Sequence, residues 1–133
     1  MNQIFKAKIP VERVGALIGP SGLAKKKIES MCHVKLIVNS ESGDIDIIGN
    51  EGCKDPTFFF KAQNIITAVG RGFSPEKAFK LLNDDVFLHI VDLREVIGKS
   101  KSDLERLKGR LIGKEGKARK IIEETTNASL SIY

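Results

Sequence analysis

A 22-residue pattern occurs twice in this chain, and it constrains the fold more than any other feature. Residues 15–36 read GALIGPSGLAKKKIESMCHVKL, and residues 109–130, ninety-four positions later, read GRLIGKEGKARKIIEETTNASL. Ten of the 22 aligned positions are identical, and in the first copy these are Gly15, Leu17, Ile18, Gly19, Gly22, Ala24, Lys26, Ile28, Glu29 and Leu36. A single GxxG arises easily by chance. Two copies with matching flanks indicate an internal repeat and predict two structural units of one kind.

The residues around each GxxG predict a helix on both sides of it. Apolar residues at helical spacing fill 11–18, and residues 23–32 repeat that spacing with Ala24, Ile28 and Met31 as the expected buried side. The second copy predicts helices over 103–112 and 117–126. In the first unit, residues 4–9, 34–38 and 45–48 have the alternation or β-branched content of strands.

A third helix of the first unit has recognisable end signals. Asp55 is a predicted N-cap, Pro56 suits the first helical position, and Gly70 is a predicted C-terminal cap. The run Phe58-Phe59-Phe60 has the spacing of a helix with a core-facing side, which favours a packing role over a platform for stacked bases.

These elements predict an α+β fold made of two units with the order strand-helix-GxxG-helix-strand-strand-helix. We expect a first unit over 1–70, a linker with a short helix over 71–85, and a second unit over 86–133. In the second unit, 86–93 is a predicted strand and 93–100 an insertion. A further strand begins at 129–133, so the second unit is expected to be truncated after its second strand begins.

Composition narrows the function classes. The chain has 133 residues, 41% of them hydrophobic, and it contains neither a bilayer-length apolar run nor a signal-peptide pattern at its start, so a soluble cytoplasmic protein is expected. Cys32 and Cys53 lack the spacing of a zinc site, and we expect reduced thiols and no metal or other cofactor. The net charge is +5, and 99–120 holds nine Lys or Arg against three acids, a local field that attracts polyanions.

The GxxG loops are the candidate binding sites. The first N–H groups of the following helix lack intrahelical partners and favour negative charge, and glycine lets a phosphate backbone approach closely. The predicted nucleic-acid-binding residues of the second copy are Gly113, Lys114, Glu115, Gly116, Arg110, Ile112, Lys117, Arg119 and Lys120. Those of the first copy are Gly19, Pro20, Ser21, Gly22, Lys25 and Lys26. An aliphatic groove from Leu111, Ile112 and Ile122 would accept flat bases. Because the first tip is uncharged, we predict that the second loop contributes more phosphate affinity.

With Ile18 to Gly22 and Ile112 to Gly116 as its matching parts, the sequence resembles the KH family of single-stranded nucleic-acid-binding domains, type I. The tandem arrangement and the segment 70–82 resemble archaeal KH proteins of small-subunit ribosome maturation. That resemblance implies binding near the 3′ end of small-subunit rRNA. It also implies recruitment or control of a PIN-domain endonuclease and an association with the alpha subunit of initiation factor two.

Three other functions compete with this interpretation. An enzyme is disfavoured, because Gly109 to Glu115 fails the P-loop spacing, His33 and His89 lack a nucleophile partner, and the pairs Asp44/Asp46 and Asp84/Asp85 fit turn and surface roles. A protein-docking adaptor is compatible with the uncharged first loop. A KH factor in transcription or mRNA control would use the same loop chemistry.

Overall fold

The computed structural model describes residues 4–50, 52 and 55–133, so Cys53 lies outside the described residues. The chain divides into two units, Met1–Leu88 and His89–Tyr133, and each unit holds one copy of the repeat. The segment 71–85, predicted as a linker, lies within the first of these units. The predicted division at residues 70 and 85 stays a prediction.

The first unit is built on a three-stranded antiparallel sheet. Strand β1 covers Ile4–Lys8, β2 covers Val34–Val38 and β3 covers Asp44–Gly49. The strand order is β1-β3-β2, so β3 is central and pairs with both neighbours. Ile45 and Ile47 alternate toward the buried face, as side chains in a half-buried strand must. The strand predicted over 45–48 is confirmed and extends by one residue at each end.

Three helices build the core of this unit with the sheet. A short 3₁₀ turn, Val11–Arg13, leads into α1, Val14–Ile18, and α2 covers Leu23–Cys32 as predicted. Cys32 is buried on α2, whereas Met31, expected inside, is 48% exposed. The reason is helical geometry, because steps of four residues from the buried Ala24 and Ile28 reach position 32.

Helix α3 covers Thr57–Gly70, and both of its ends differ from the prediction. It begins after Pro56, which takes the cap position instead of Asp55. The Asp55 carboxylate nevertheless accepts hydrogen bonds from the Thr57 hydroxyl at 2.7 Å and backbone N–H at 2.9 Å, which lower the pKa of Asp55. Gly70 is the last helical residue and not the cap. A Cβ there would lie 2.6 Å from Cγ2 of Ile9, so this glycine allows close packing.

The aromatic run on α3 is divided between core and surface. Phe59 is buried and packs on Phe5 with ring centroids 4.7 Å apart, which confirms the core role for this residue. The rings of Phe58 and His33 are nearly perpendicular, and their centroids lie 4.9 Å apart. Phe60 is 55% exposed, because it lies outside the stripe that faces the sheet.

The chain after α3 folds back onto that helix. Helix α4 covers Pro75–Ala78, with the Ser74 side chain as its N-cap, and continues as a 3₁₀ turn over Phe79–Leu82. Ala78 and Leu81 are buried in the first unit's core. The guanidinium of Arg13 donates to the carbonyls of Val69 at 2.8 Å and Phe73 at 3.0 Å, which ties the 3₁₀ turn before α1 to the end of α3 and the residues after it.

The second unit consists of three helices: α5, Leu93–Ile97, α6, Lys101–Ile112, and α7, Lys117–Thr126. The prediction for α7 is confirmed. Helix α6 begins two residues before the predicted residue 103, with Ser100 as its N-cap. The expected insertion 93–100 contains α5, whose N-cap is Asp92.

The predicted strands of the second unit are wrong. Residues 86–92 and 129–133 form no strand, and Leu93 begins a helix. In the first unit β1 and β2 pair only with β3, and the described residues up to Tyr133 contain no counterpart of β3. A strand without a hydrogen-bonded neighbour has nothing to form a ladder with. Residues 89–133 are all described, and none of them is buried.

Candidate nucleic-acid interface

The first glycine of each GxxG loop has a backbone conformation that only glycine adopts readily. Its φ and ψ are 75° and 173° at Gly19, and 76° and 173° at Gly113. A Cβ on Gly19 would lie 2.9 Å from the Ala24 Cβ, and one on Gly113 would lie 2.7 Å from the Ala118 Cβ. The loop therefore needs a glycine and, five positions later, a small residue. Both copies supply this pair.

The rest of the loop also repeats its geometry. The second tip residue is left-handed in both copies, with φ 54° at Ser21 and 55° at Glu115. Gly22 and Gly116 follow at φ 73° and 76° and precede α2 and α7 directly. Glycine has no side chain to cap a helix, and the first helical N–H groups, those of Leu23 and Lys117, donate within the loop to the carbonyls of Pro20 and Lys114. The positive end of each helix dipole lies at the loop.

Charge separates the two loops. In the second copy the side chains of Arg110, Lys114, Lys117 and Lys120 are all exposed around the loop. In the first copy the exposed tip is Pro20-Ser21, and the position of Lys117 is taken by Leu23, which is 63% exposed. The same loop backbone thus carries a cationic tip in the second unit and an uncharged tip in the first.

Some predicted cations are engaged within the protein. The Lys25 ammonium lies 4.0 Å from the Glu29 carboxylate, and the Arg119 guanidinium lies 3.7 Å from that of Glu123. Lys27, which is not among the predicted residues, sits 4.4 Å above the Phe79 ring. Lys26 and its counterpart Lys120 are the exposed basic positions common to both helices. Lys114, Lys117 and Lys120 are therefore better placed to contact phosphate than Lys25 and Arg119, each of which lies close to a glutamate.

Two glutamates near the loops were missed as functional candidates. The backbone N–H of Leu36 donates to Glu29 Oε2 at 2.9 Å, and that of Leu130 donates to Glu123 Oε2 at 3.0 Å. Each bond connects the helix after the GxxG to the segment that follows it, which is strand β2 in the first unit and residues 128–133 in the second. The available signal was the repeat itself, because these four residues are among its identical positions.

The apolar residues of the predicted groove have different surroundings in the two units. Leu17 and Ile28, the counterparts of Leu111 and Ile122, are completely buried in the first unit. In the second unit Leu111 and Ile122 are only half-buried, and Ile112 is 36% exposed. The second loop is therefore flanked by accessible aliphatic surface, whereas the corresponding positions of the first unit form its core.

The described residues contain no group of three or more His, Cys, Asp or Glu side chains arranged to hold a metal ion. Over the same part of the chain, no helix is long and apolar enough to cross a membrane. The carboxylate pair Asp44 and Asp46 lies opposite Lys8 and Lys6 in the sheet register.

Family models match both halves of the chain. Residues 20–84 match the Krr1 KH1 domain, and residues 87–133 match the eukaryotic type KH-domain, KH-domain type I. The crystal structure of Dim2p from Pyrococcus horikoshii OT3 is similar at 41% identity with a TM-score of 0.86, covering 98% of this chain and 76% of that one. The chain belongs to the tandem KH family of Dim2p. The predicted α+β type I KH fold is thereby confirmed.

The relatives that this chain matches are longer than it is. KH domain-containing protein MJ0443 of Methanocaldococcus jannaschii is 46% identical over 126 residues, which are 95% of this chain and 55% of that protein. A chain in the crystal structure of the a/eIF2alpha-aDim2p-rRNA complex from P. horikoshii OT3 is 42% identical with a TM-score of 0.91, covering 99% of this chain and 72% of that one. The chain spans about half the length of the curated relatives that it matches.

Proposed function

We propose that this chain is a non-enzymatic protein that binds single-stranded RNA through its second GxxG loop. The observation that carries the proposal is a glycine loop at the start of α7 with exposed cations around it, namely Arg110, Lys114, Lys117 and Lys120. The positive end of the α7 dipole and the basic side chains favour phosphate, and the aliphatic surface beside the loop accepts bases. A GxxG loop that clamps a short stretch of nucleic-acid backbone is the binding mode of KH domains.

The RNA we propose is the 3′ region of small-subunit rRNA during ribosome assembly, where the protein recruits or regulates a processing nuclease of the PIN-domain class. The related Dim2p occurs in a complex with a/eIF2alpha and rRNA, and relatives from Schizosaccharomyces pombe and other fungi are named pre-rRNA-processing proteins. These relatives support rRNA and the alpha subunit of initiation factor two as partners. Crosslinking in cells tests this: reads concentrated at the rRNA 3′ end are expected, and reads concentrated on mRNA would favour transcript control.

The loop assignment is tested by fluorescence anisotropy with a labelled single-stranded RNA from that 3′ region. One variant carries Lys114→Asp with Glu115→Asp, and the matched control carries Pro20→Asp with Ser21→Asp. Asp tolerates the left-handed tip position, so the loop backbone is preserved. We expect at least a roughly tenfold loss for the second-loop variant, because phosphate contacts are replaced by repulsion, and a smaller loss for the control. Unchanged affinity in the second-loop variant would contradict the proposal.

The first unit supports a second candidate role, docking of a protein. Its loop combines the uncharged tip Pro20-Ser21 with the exposed Leu23. If docking is its main role, the Pro20→Asp with Ser21→Asp variant keeps RNA affinity and loses the protein partner. The absence of catalysis is tested by incubating the RNA with the chain and Mg²⁺ or Mn²⁺, where metal-dependent cleavage would refute a purely binding role.

A further inference from the structure

The hydrogen bond from the Leu N–H to a glutamate occurs in both units with nearly the same geometry. Glu29 and Glu123 are 23% and 22% exposed, and their bonds to Leu36 and Leu130 measure 2.9 and 3.0 Å. A left-handed residue ends the helix in both cases, His33 at φ 53° and Asn127 at φ 59°. Helix, turn and extended segment therefore form one repeated module that the carboxylate closes.

The sheet does not account for this bond. In the first unit β2 is an edge strand, and Asn39 N–H pairs with the Asp44 carbonyl of β3. Since alternate residues of an antiparallel edge strand point their N–H groups outward, the N–H of Leu36 points away from β3, where Glu29 receives it. In the second unit 128–133 form no strand, and yet the Glu123–Leu130 bond is present. The bond thus belongs to the loop-helix module and not to the sheet.

A carboxylate at this place opposes the proposed ligand. Each glutamate adds negative charge to the helix that begins at a phosphate-binding loop, and Glu123 also lies 3.7 Å from the Arg119 guanidinium. On charge alone, removing the Glu123 carboxylate should strengthen RNA binding, because it would release the Arg119 guanidinium and reduce the repulsion of RNA phosphates. The hydrogen bond acts in the opposite direction, because it holds the extended segment in place before RNA arrives.

We infer that Glu29 and Glu123 are positioning residues, which fix the extended segment at Leu36 and Leu130 beside the GxxG helix. This inference rests on the proposed function. Because the segment is already ordered, the free energy of RNA binding does not include the entropic cost of ordering the segment. The glutamate therefore raises affinity without contacting RNA. The effect matters more at Glu123, because residues 128–133 form no strand, whereas Leu36 lies in β2, which pairs with β3.

The experiment compares Glu123→Ala, Glu123→Gln and the control Glu124→Ala in RNA binding over a range of salt concentrations. Glu124 is the exposed neighbour, so its removal changes the charge equally without breaking the bond. We expect E124A to bind RNA at least as tightly as the unchanged chain. We expect E123A to bind about fivefold more weakly, a loss on the scale of one hydrogen bond, with a salt slope that does not become shallower because no cation is removed. The neutral E123Q keeps an acceptor and should restore most of the affinity.

An NMR measurement without RNA provides an independent readout. The Leu130 amide should exchange with solvent faster in E123A than in E124A, and the Leu36 amide should respond in the same way to Glu29→Ala in the better-packed first unit. If E123A matches or exceeds E124A in affinity, or if its Leu130 amide is equally protected, the inference is refuted while the proposed function stands. If the unchanged chain binds no RNA, both are refuted.

Discussion

The two GxxG loops have the same backbone and different surfaces. Gly19 and Gly113 agree in φ and ψ within a degree, and the small residue that each contacts lies at the same distance along the chain. The tips are Pro20-Ser21 and Lys114-Glu115, and the next position that differs is Leu23 in one copy and Lys117 in the other. Geometry therefore depends on the residues that the copies share, and binding chemistry depends on those that differ. This separation is why the second loop is the candidate for RNA.

The units around these loops also differ. The first has a sheet, four α-helices and a continuous, mainly aliphatic core, whereas none of the residues from 89 to 133 is buried. Equivalent repeat positions are thus core in one unit and partly accessible in the other, as with Ile28 and Ile122. The helix-GxxG-helix conformation is the same in both units although residues 89–133 form no strand, which indicates that it depends on local contacts.

The largest expected difference between the two units is in the reactivity of a cysteine thiol at position 32 compared with one at position 126, the matching position of the repeat. Burial raises the pKa of Cys32 to about 11, whereas an exposed cysteine has a pKa of about 8.5. Two chains are compared, both carrying Cys53→Ser: one keeps Cys32, and the other carries Cys32→Ser with Thr126→Cys. At pH 8, Cys32 should react with a disulfide reagent about a hundredfold more slowly than the cysteine at position 126. The Cys32 rate should rise as pH approaches 11, because its thiolate then forms. Equal rates at pH 8 would show that the two units are equally open.

Truncating the shared leucine probes the same comparison by stability. Leu17→Ala removes a completely buried side chain and should lower the free energy of unfolding by about 2–5 kcal/mol. Leu111→Ala, at the matching position, removes a half-buried one and should cost less than about 1 kcal/mol. Urea unfolding followed by circular dichroism measures both. Similar losses would mean that the second unit has a core as tight as the first.

Replacing Gly19 or Gly22 by alanine separates the effect of a steric clash from the effect of backbone conformation. In Gly19→Ala the new Cβ would clash with Ala24, and the backbone has a conformation that only glycine adopts readily. We therefore expect a loss of about 3 kcal/mol in stability. Gly22→Ala stays in the left-handed region with only the Lys26 side chain nearby at 3.9 Å, and its cost should be about 1 kcal/mol. The unfolding midpoints report both. If Gly22→Ala is the more harmful change, the explanation given for the loop is wrong.

How much of this was visible in the sequence depends on whether the signal is local. Helices α2 and α7, strand β2 and both loops follow from periodicity and glycine placement within a few residues. The strand predicted over 86–93 failed because a strand depends on a distant neighbour, and the apolar content of a segment does not reveal whether β3 has a counterpart. The role of Glu29 was missed because its hydrogen bond joins a side chain to a backbone N–H seven residues away, a spacing outside helix or strand patterns.

Exchanging the differing loop residues tests the central claim most directly. One chain carries Pro20→Lys with Leu23→Lys, and the reciprocal chain carries Lys114→Pro with Lys117→Leu, which keeps the loop glycines of both copies. Single-stranded RNA affinity is measured by anisotropy from low to high salt. We predict that the reciprocal chain binds several-fold more weakly, with a salt slope shallower by about 0.7 for each phosphate that is no longer neutralised, and that the first exchange adds affinity. Unchanged affinity and slope in the reciprocal chain would contradict the assignment of RNA binding to the second loop.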